Sequence, residues 1–472
     1  MAGGLHVRMF LRRSTRLMTG NTGHAMRDGE NRASIELSMI VKNGASTLRR
    51  CLDSVAGAID RILIGDTGST DESTEIAQEY GAEVVRVPWQ DDFSKARNAV
   101  LTQAQCNWIL VLDADEMLDK AGVIELRRTV ADAKPSVFGY DIWRWNYVRE
   151  LHTRSAEQGA LPNPVLLEAT RPYPAYVRSL NTRLFRRHPQ IRFERPVHET
   201  VAGCMNHQKF KRSQASFVIH HFGLGEDPED VRTQKNEFYQ KLGQQQILSN
   251  PFDSRAYFEL GLGELEHYRR PKEALDYFLK AEALSPSDAS PWLFAGICLT
   301  RLGRYREALE HLARSEKLDG RSIVLFEATG DLHFRLGDFK AAQQAYGRAL
   351  QLGSVSELTA AKLGATEVRL GLGTTGIRRM VEAVESRPRF LELYDILATS
   401  AFIGGDAALA IATADQRLNL GELTSFQFLL AATLHEQIGN LRRAEEILTN
   451  GLYLFPCDQE LDSARKRISK RE

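Results

Sequence analysis

Two aspartates one residue apart, Asp113 and Asp115, close the unbroken apolar run Trp108-Ile109-Leu110-Val111-Leu112. Such a run reads as a strand buried on both faces of a parallel sheet. Ligands of open α/β sheets bind beyond the carboxyl ends of the strands, so both carboxylates stand where a ligand would sit. Neighbouring carboxylates repel unless something positive joins them. Mg²⁺ takes one or two carboxylates and fills its shell with phosphate oxygens and water. A divalent cation carrying a phosphorylated substrate would therefore satisfy the pair. Alone, Asp-x-Asp is equally a solvated strand-to-loop corner. Glu116, next in the chain, reads either as a partner behind the ligands or as one more solvated carboxylate.

The elements around this motif alternate. Ile35–Val41 reads as a strand and Ala45–Val55 as a helix with Leu48, Leu52 and Val55 on one face. Arg61–Ile64 is a second strand, followed by Gly65-Asp66-Thr67-Gly68-Ser69-Thr70-Asp71, where Ser69 or Thr70 can cap a helix over Glu72–Tyr80. Glu83–Val87 is a third strand, Phe93–Ala104 a helix, and Trp108–Leu112 a fourth strand. This alternation implies βαβ units and a doubly wound, mainly parallel sheet. Tyr140–Val148 alternates like an exposed or edge strand, with Trp143 and Trp145 on one side. Residues 149–180 read as a long loop, and loops of that length are usually functional or disordered. Leu184–Arg186, Phe193 to His198 and Phe217–Phe222 read as short strands.

Beyond about Asp227 the chain is helical and repeats. Ala274, Ala308, Ala342, Gly376, Ala410 and Ala444 recur every 34 residues, and Gly303, Gly337, Gly371, Gly405 and Gly439 each fall five residues before the next of them. A 34-residue period with a small residue at this place is the tetratricopeptide pattern. A helix pair cannot bury its apolar face alone, so stacked pairs form a superhelix with a concave groove. Such a groove holds a peptide or partner helix, or the stack serves only as a dimerisation platform.

The chain of 472 residues carries 61 Lys+Arg and 61 Asp+Glu. Zero net charge gives no global field for nucleic acid or an anionic membrane surface. No apolar run approaches the roughly 18 residues of a membrane span. Five scattered cysteines without a Cys-x-x-Cys pair fit reduced thiols in a cytoplasmic protein. The division expected is a flexible leader at 1–33, an α/β domain at 34–226 and a helical repeat domain at 227–472.

Taken in order, Ser38-Met39-Ile40-Val41-Lys42-Asn43, Ile64-Gly65-Asp66-Thr67-Gly68-Ser69-Thr70-Asp71 and Asp113-Ala114-Asp115-Glu116 resemble the nucleotide-sugar half of a family 2 glycosyltransferase of the Rossmann-like GT-A fold. The resemblance covers roughly residues 34–225. It implies that Ile40 or Val41 lies beside the base and that Asp66 accepts from base or ribose, although Asp66 can also merely cap its own turn. Gly68 lets the chain turn sharply beside the ligand. In Asp91-Asp92-Phe93-Ser94-Lys95-Ala96-Arg97-Asn98, the helix start suits an anion and Arg97 is placed for phosphate or for a surface salt bridge. The resemblance gives Asp113 and Asp115 a divalent metal, Mn²⁺ or Mg²⁺. Asp115 is favoured for direct ligation, with Asp113 reaching ribose or sugar. In Phe193-Glu194-Arg195-Pro196-Val197-His198-Glu199, similar to an acceptor-side motif, Glu199 is the first choice for general base and His198 the second. In Val218-Ile219-His220-His221-Phe222-Gly223, His221 fits the further metal ligand better than His220. Adjacent strand residues face opposite ways, so both cannot bind one ion.

The resulting expectation is an inverting transferase that takes a sugar from a nucleoside-diphosphate donor, UDP-linked, to a peptide or protein brought by the repeats. Trp143, Trp145 and the 149–180 loop either line the acceptor side or simply pack. Two rivals stand beside it: the same chemistry on a glycan, lipid or small molecule with the repeats forming a homodimer, and a repeat scaffold carrying an inactive transferase domain.

Overall fold

The computed structural model of the chain describes residues 33–149, 154–155, 158–159, 161–164, 167–226, 229–354 and 356–470. The leader expected at 1–33 lies outside these residues except for Ala33. Ile35–Val41 is β1, followed by helix α1 (Ala45–Val55), β2 (Arg61–Asp66), α2 (Ser73–Glu79), β3 (Glu83–Arg86), α3 (Phe93–Leu101) and β4 (Trp108–Val111). α1 turns Leu48, Cys51, Leu52 and Val55 into the core, one stripe of a 3.6-residue period. These strands lie in the order β3-β2-β1-β4, all parallel. The chain leaves β1 in one direction for β2 and β3 and returns on its other side as β4. Strand order therefore reverses between β1 and β4, and the crevice of a doubly wound sheet opens there.

The loop after β2 departs from expectation. Ser69 and Thr70 do not cap α2; Ser69 Oγ accepts from Asn43 N and Thr70 N donates to Asn43 Oδ1. They lace the β2 loop to the β1 loop instead. Asp71 takes over the capping work, accepting from Ser73 N and Ala45 N.

The sheet continues as β5 (Glu116–Met117), helix α4 (Lys120–Ala131), β6 (Val137–Val148), the short β7 (Arg154–Ser155), β8 (Gln158–Gly159) and β9 (Leu161–Pro162), then β10 (Ala175–Arg186), α5 (Ala202–His207) and β11 (Lys211–His221). Its order is β4-β10-β6-β11-β5, with β10 antiparallel to both β4 and β6. β6 is thus interior, not an edge strand. The alternating pattern of Tyr140–Val148 suggests an edge, but both of its backbone edges are paired, by β10 and β11. The end of the expected 149–180 loop is the first half of β10. Residues 193–198 are not a strand: a single bridge joins Glu194 and Thr200, and Arg195 and His198 adopt φ of +87° and +53°.

After α6 (Gly223–Glu226) the long α7 (Glu229–Ser249) leads into paired helices. The pairs are α8 (Ser254–Glu266) with α9 (Pro271–Leu284), α10 (Ala289–Arg301) with α11 (Tyr305–Leu318), and α12 (Ile323–Leu336) with α13 (Phe339–Gln351). They continue as α14 (Glu357–Arg369) with α15 (Gly373–Ser386), α16 (Leu391–Ile403) with α17 (Ala407–Asn419), and α18 (Ser425–Gln437) with α19 (Leu441–Leu454), closed by α20 (Gln459–Ser469). The five alanines at the 34-residue positions are fully buried. The turn glycines Gly303, Gly337, Gly371, Gly405 and Gly439 hold φ between +74° and +85°, a region that other residues enter only at a cost. Within pairs, small residues admit large ones: a Cβ on Gly296 would lie 2.7 Å from Leu312, and one on Gly330 2.5 Å from Tyr346. No helix among the described residues is long and apolar enough to cross a membrane.

Candidate active site

Ile40, Val41, Asp66, Gly68, Asp113 and Asp115 all lie at the carboxyl ends of β1, β2 and β4, around the reversal point of the sheet. Val41 pairs with Asp66 in the parallel register. Asp66 Oδ1 accepts from Ser69 N at 2.9 Å, so it does cap its own turn while facing this edge. Gly68 has φ +108°, a value that requires glycine here. Ile40 packs beside Leu63, Val87 and Val100.

The two aspartates part company. Asp113 Oδ1 accepts from Arg97 Nη2 at 2.5 Å and Oδ2 from Arg183 Nη2 at 3.2 Å. Arg97 Nε reaches Glu199 Oε1 at 2.6 Å. Arg183 Nη2 and Arg144 Nη1 both approach Glu116 Oε1, at 3.1 and 3.3 Å. Glu116 Oε2 accepts from Asp113 N at 2.9 Å, and the residue is fully buried. Glu116 is therefore not a solvated carboxylate. Signs alternate along the line Glu199, Arg97, Asp113, Arg183, Glu116, Arg144. Buried ions persist only when paired and hydrogen-bonded, and each carboxylate here has a guanidinium. Burial alone would raise the Asp113 carboxyl, but Arg183 and Arg97 hold it far below the usual range. Burial opposes the charge of Arg97 too, and Asp113 and Glu199 overcome it, raising the guanidinium above its ordinary value. Arg97 therefore faces carboxylates, not open solvent.

Asp115 points elsewhere. Its Oδ2 lies 3.3 Å from His221 Nε2. Burial works against the charge of Asp115, and His221 outweighs it, lowering the carboxyl. The pair meets because β11 runs antiparallel to β5, with His221 opposite Glu116. Asn146 Oδ1 sits 2.7 Å from His221 Nδ1, while Asn146 Nδ2 donates to Val177 O at 3.1 Å. The amide is thereby oriented with its oxygen on Nδ1, which fixes the ring with Nε2 turned towards Asp115. Gly223 closes the other side: a Cβ there would lie 2.4 Å from Asp115 Oδ2 and 3.0 Å from His221 Nε2. One carboxylate oxygen and one oriented imidazole nitrogen in a cradle open to glycine suit a divalent cation that draws its remaining ligands from phosphate and water. Among the described residues no third Asp, Glu, His or Cys joins them.

His220, one residue back, faces the opposite side. Its Nδ1 is 2.8 Å from Tyr147 Oη, its ring stacks on Tyr147, and burial lowers its pKa. Strand alternation explains the split. On β6, Arg144 and Asn146 face the carboxylates, while Trp145 stacks on Tyr176 with centroids 4.2 Å apart. Trp143 lies beneath the Arg178 guanidinium. Both tryptophans pack on the sheet face opposite the one from which Arg144 and Asn146 reach Glu116 and His221.

The 193–199 loop is fixed from α3. Asn98 exchanges two hydrogen bonds with the Phe193 backbone, at 2.9 and 2.8 Å, and Phe93 N donates to Pro196 O at 2.9 Å. This puts Glu199 in the ion line. His198 is more exposed; its Nε2 lies 3.7 Å from Glu259 of α8 and its ring 6.3 Å from Tyr239 of α7. Arg183, Arg144 and Asn146 were not singled out from sequence. Arg183 stands one residue before the short strand read at Leu184–Arg186, and Arg144 and Asn146 alternate with the conspicuous tryptophans, so a period-two reading of β6 would have found those two.

Residues 37–193 match the family described as Glycosyl transferase family 2. A TPR repeat-containing protein of Synechococcus elongatus is 31% identical over 331 residues, 68% of this chain and 67% of that one. The SPbeta prophage-derived glycosyltransferase SunS of Bacillus subtilis is 23% identical over 250 residues, and the chain spans 53% of its length. Among solved structures, the Cut9–Hcn1 assembly is similar at 16% identity and a TM-score of 0.43, over 50% of this chain and 46% of that one. The crevice at the β1–β4 reversal and the acidic corner after β4 agree with the family match, and the stacked helix pairs with the repeat-containing relative: the chain belongs to the family 2 glycosyltransferases and joins that domain to tetratricopeptide repeats.

Proposed function

We propose that this glycosyltransferase moves a sugar, with inversion, from a UDP-linked donor to a peptide or protein held by the repeats, and that it works with Mn²⁺ or Mg²⁺. The observation that carries the reading is the meeting of Asp115 Oδ2 and His221 Nε2 at 3.3 Å beside the sheet's reversal point. These two side chains would hold the cation. When bound, it would neutralise charge on the departing nucleoside diphosphate. Asp113, anchored by Arg97 and Arg183, reaches the ribose or sugar. Ile40, Val41, Asp66 and Gly68 form the nucleotide side. Glu199 takes the acceptor's proton on Oε2, since Oε1 is engaged by Arg97. His198 is the alternative base, farther out on the same loop. Residues 34–226 supply the transfer unit and 227–472 the presenting unit, whose concave stack suits an extended peptide.

The test is thermal shift of the purified protein with UDP-glucose, UDP-N-acetylglucosamine and GDP-mannose, each with and without MnCl₂. At least one donor should stabilise the protein only with metal, and Asp115→Asn should remove that dependence. Absence of any donor binding, with or without metal, would sink the reading.

A further inference from the structure

The helical half reaches back over the site. α7 begins six residues after Gly223, which touches the Asp115–His221 cradle. Its middle lies against the start of α3: Phe238 and Tyr239 stand 6.4 and 6.0 Å from Phe93, centroid to centroid, and Phe238 is 6.2 Å from Trp89. Tyr239 also faces His198, next to Glu199. Lys235 and Tyr239 are four residues apart and share one helix face. Lys235 adds positive potential at Asp115. That face of α7 thus spans from the metal-side aspartate to the acceptor loop. Phe238 packs on Trp89 and Phe93, and Tyr239, 38% exposed, stands beside Phe93 and His198.

We propose that Tyr239 is a substrate-contacting residue of the transfer site, donating its phenolic hydrogen to the donor's sugar beside the acceptor loop. Tyr239 lies beyond the segment matched by the family, which ends at residue 193. The contact is therefore supplied by the helical half. A pyranose offers hydroxyl oxygens as acceptors and C–H faces to an aromatic ring, and a tyrosine meets both. Burial, with the field of Asp113, Glu199 and Asp115, pushes this phenol up to about 12, so it remains a hydrogen-bond donor at neutral pH. The inference rests on the transfer reading above and deepens it.

The experiment compares the full-length wild type with Tyr239→Phe and Tyr239→Leu. Binding of UDP alone and of the UDP-sugar that serves the wild type is measured in MnCl₂, together with kcat and KM. Tyr239→Phe should weaken the sugar nucleotide or its turnover about tenfold, the worth of one hydrogen bond. UDP binding should stay unchanged, and Tyr239→Leu should lose more. Equal loss of UDP and UDP-sugar binding in both variants would make the residue merely structural and overturn the proposal. Full activity of Tyr239→Phe would also overturn it. A wild type that binds no sugar nucleotide fails at the transfer reading itself, a result separate from either of these, and takes this inference with it.

Discussion

Gly223→Ala tests the metal cradle without altering Asp115 or His221. The new Cβ would lie 2.4 Å from Asp115 Oδ2 and 3.0 Å from His221 Nε2, whereas ordinary contact begins at 3.4 Å. The carboxylate must therefore retreat by about 1 Å, and the imidazole by a few tenths. Both obstacles are tips of side chains, so the backbone need not move. Gly223 opens α6, and its φ is not positive. Alanine is also the better helix former, by up to about 1 kcal/mol. Stability should thus hold within about 1 kcal/mol, while a misplacement near 1 Å at a reacting centre can cost on the order of 100-fold in rate. The assay is donor turnover across a MnCl₂ titration, with thermal unfolding as the control. The expected result is a large fall in activity and a raised metal requirement at an unchanged melting temperature. Wild-type turnover with the same metal dependence would refute the cradle. Loss of activity together with loss of fold would show that the site tolerates no methyl for reasons other than the two ligands.

Arg97→Met removes the cation shared by Asp113 and Glu199; because breaking a buried pair costs about 3–5 kcal/mol and Arg183 still serves Asp113, a loss of about 3 kcal/mol in urea unfolding is expected, and an unaltered midpoint would contradict the ion line. Asn146→Ala frees the His221 ring and should weaken Mn²⁺ affinity about 10–100-fold, as loss of an orienting partner does elsewhere; equal affinity by calorimetry would remove Asn146 from the site. In the repeats, His311 Nε2 lies 3.4 Å from Glu282 Oε1, and this pairing outweighs burial and raises the imidazole above its ordinary value. A raised folded pKa stabilises fully below the unfolded value, about 6.5, and loses that stabilisation as pH rises through the folded value. His311→Gln should therefore cost more stability at pH 5.5 than at pH 8.5, and a constant difference would count against the pairing.

Legibility followed the range of the interactions involved. The first four strands show in the sequence because apolar runs alternate there with helices, buried in β1 and β4 and half-buried in the edge strand β3, and β1 matches its expected span, Ile35–Val41. The repeats show because one packing problem is solved every 34 residues by the same small side chain. The second half of the sheet was obscured by pairing that no local pattern reveals. β10 joins β4 to β6, and only that long-range pairing turns the end of an apparent loop into strand. The site divides likewise. Asp113, Asp115 and His221 stand out by type and spacing. Arg183 and Arg144 matter because three elements bring their guanidinium groups to one buried glutamate, and residue type alone does not announce that.

The acceptor loop binds the two halves into one problem. Arg195 and His198 hold positive φ without being glycine, and such backbone costs about 1–3 kcal/mol per residue unless the surroundings fix it. Part of what fixes it comes from the helical half. Arg195 Nη2 donates to Asp253 Oδ1 at 2.8 Å, and Asp253 caps α8 and also accepts from Gln246 of α7. Deleting everything after residue 226 would therefore remove the loop's support as well as the repeats. An inactive truncation of that kind would say nothing about acceptor delivery, because Glu199 rides on the same loop. A chain ending after α9 keeps Asp253, Glu259 and Tyr239 while discarding most of the concave stack. Only that cut separates a groove that presents a polypeptide from helices that help to build the site.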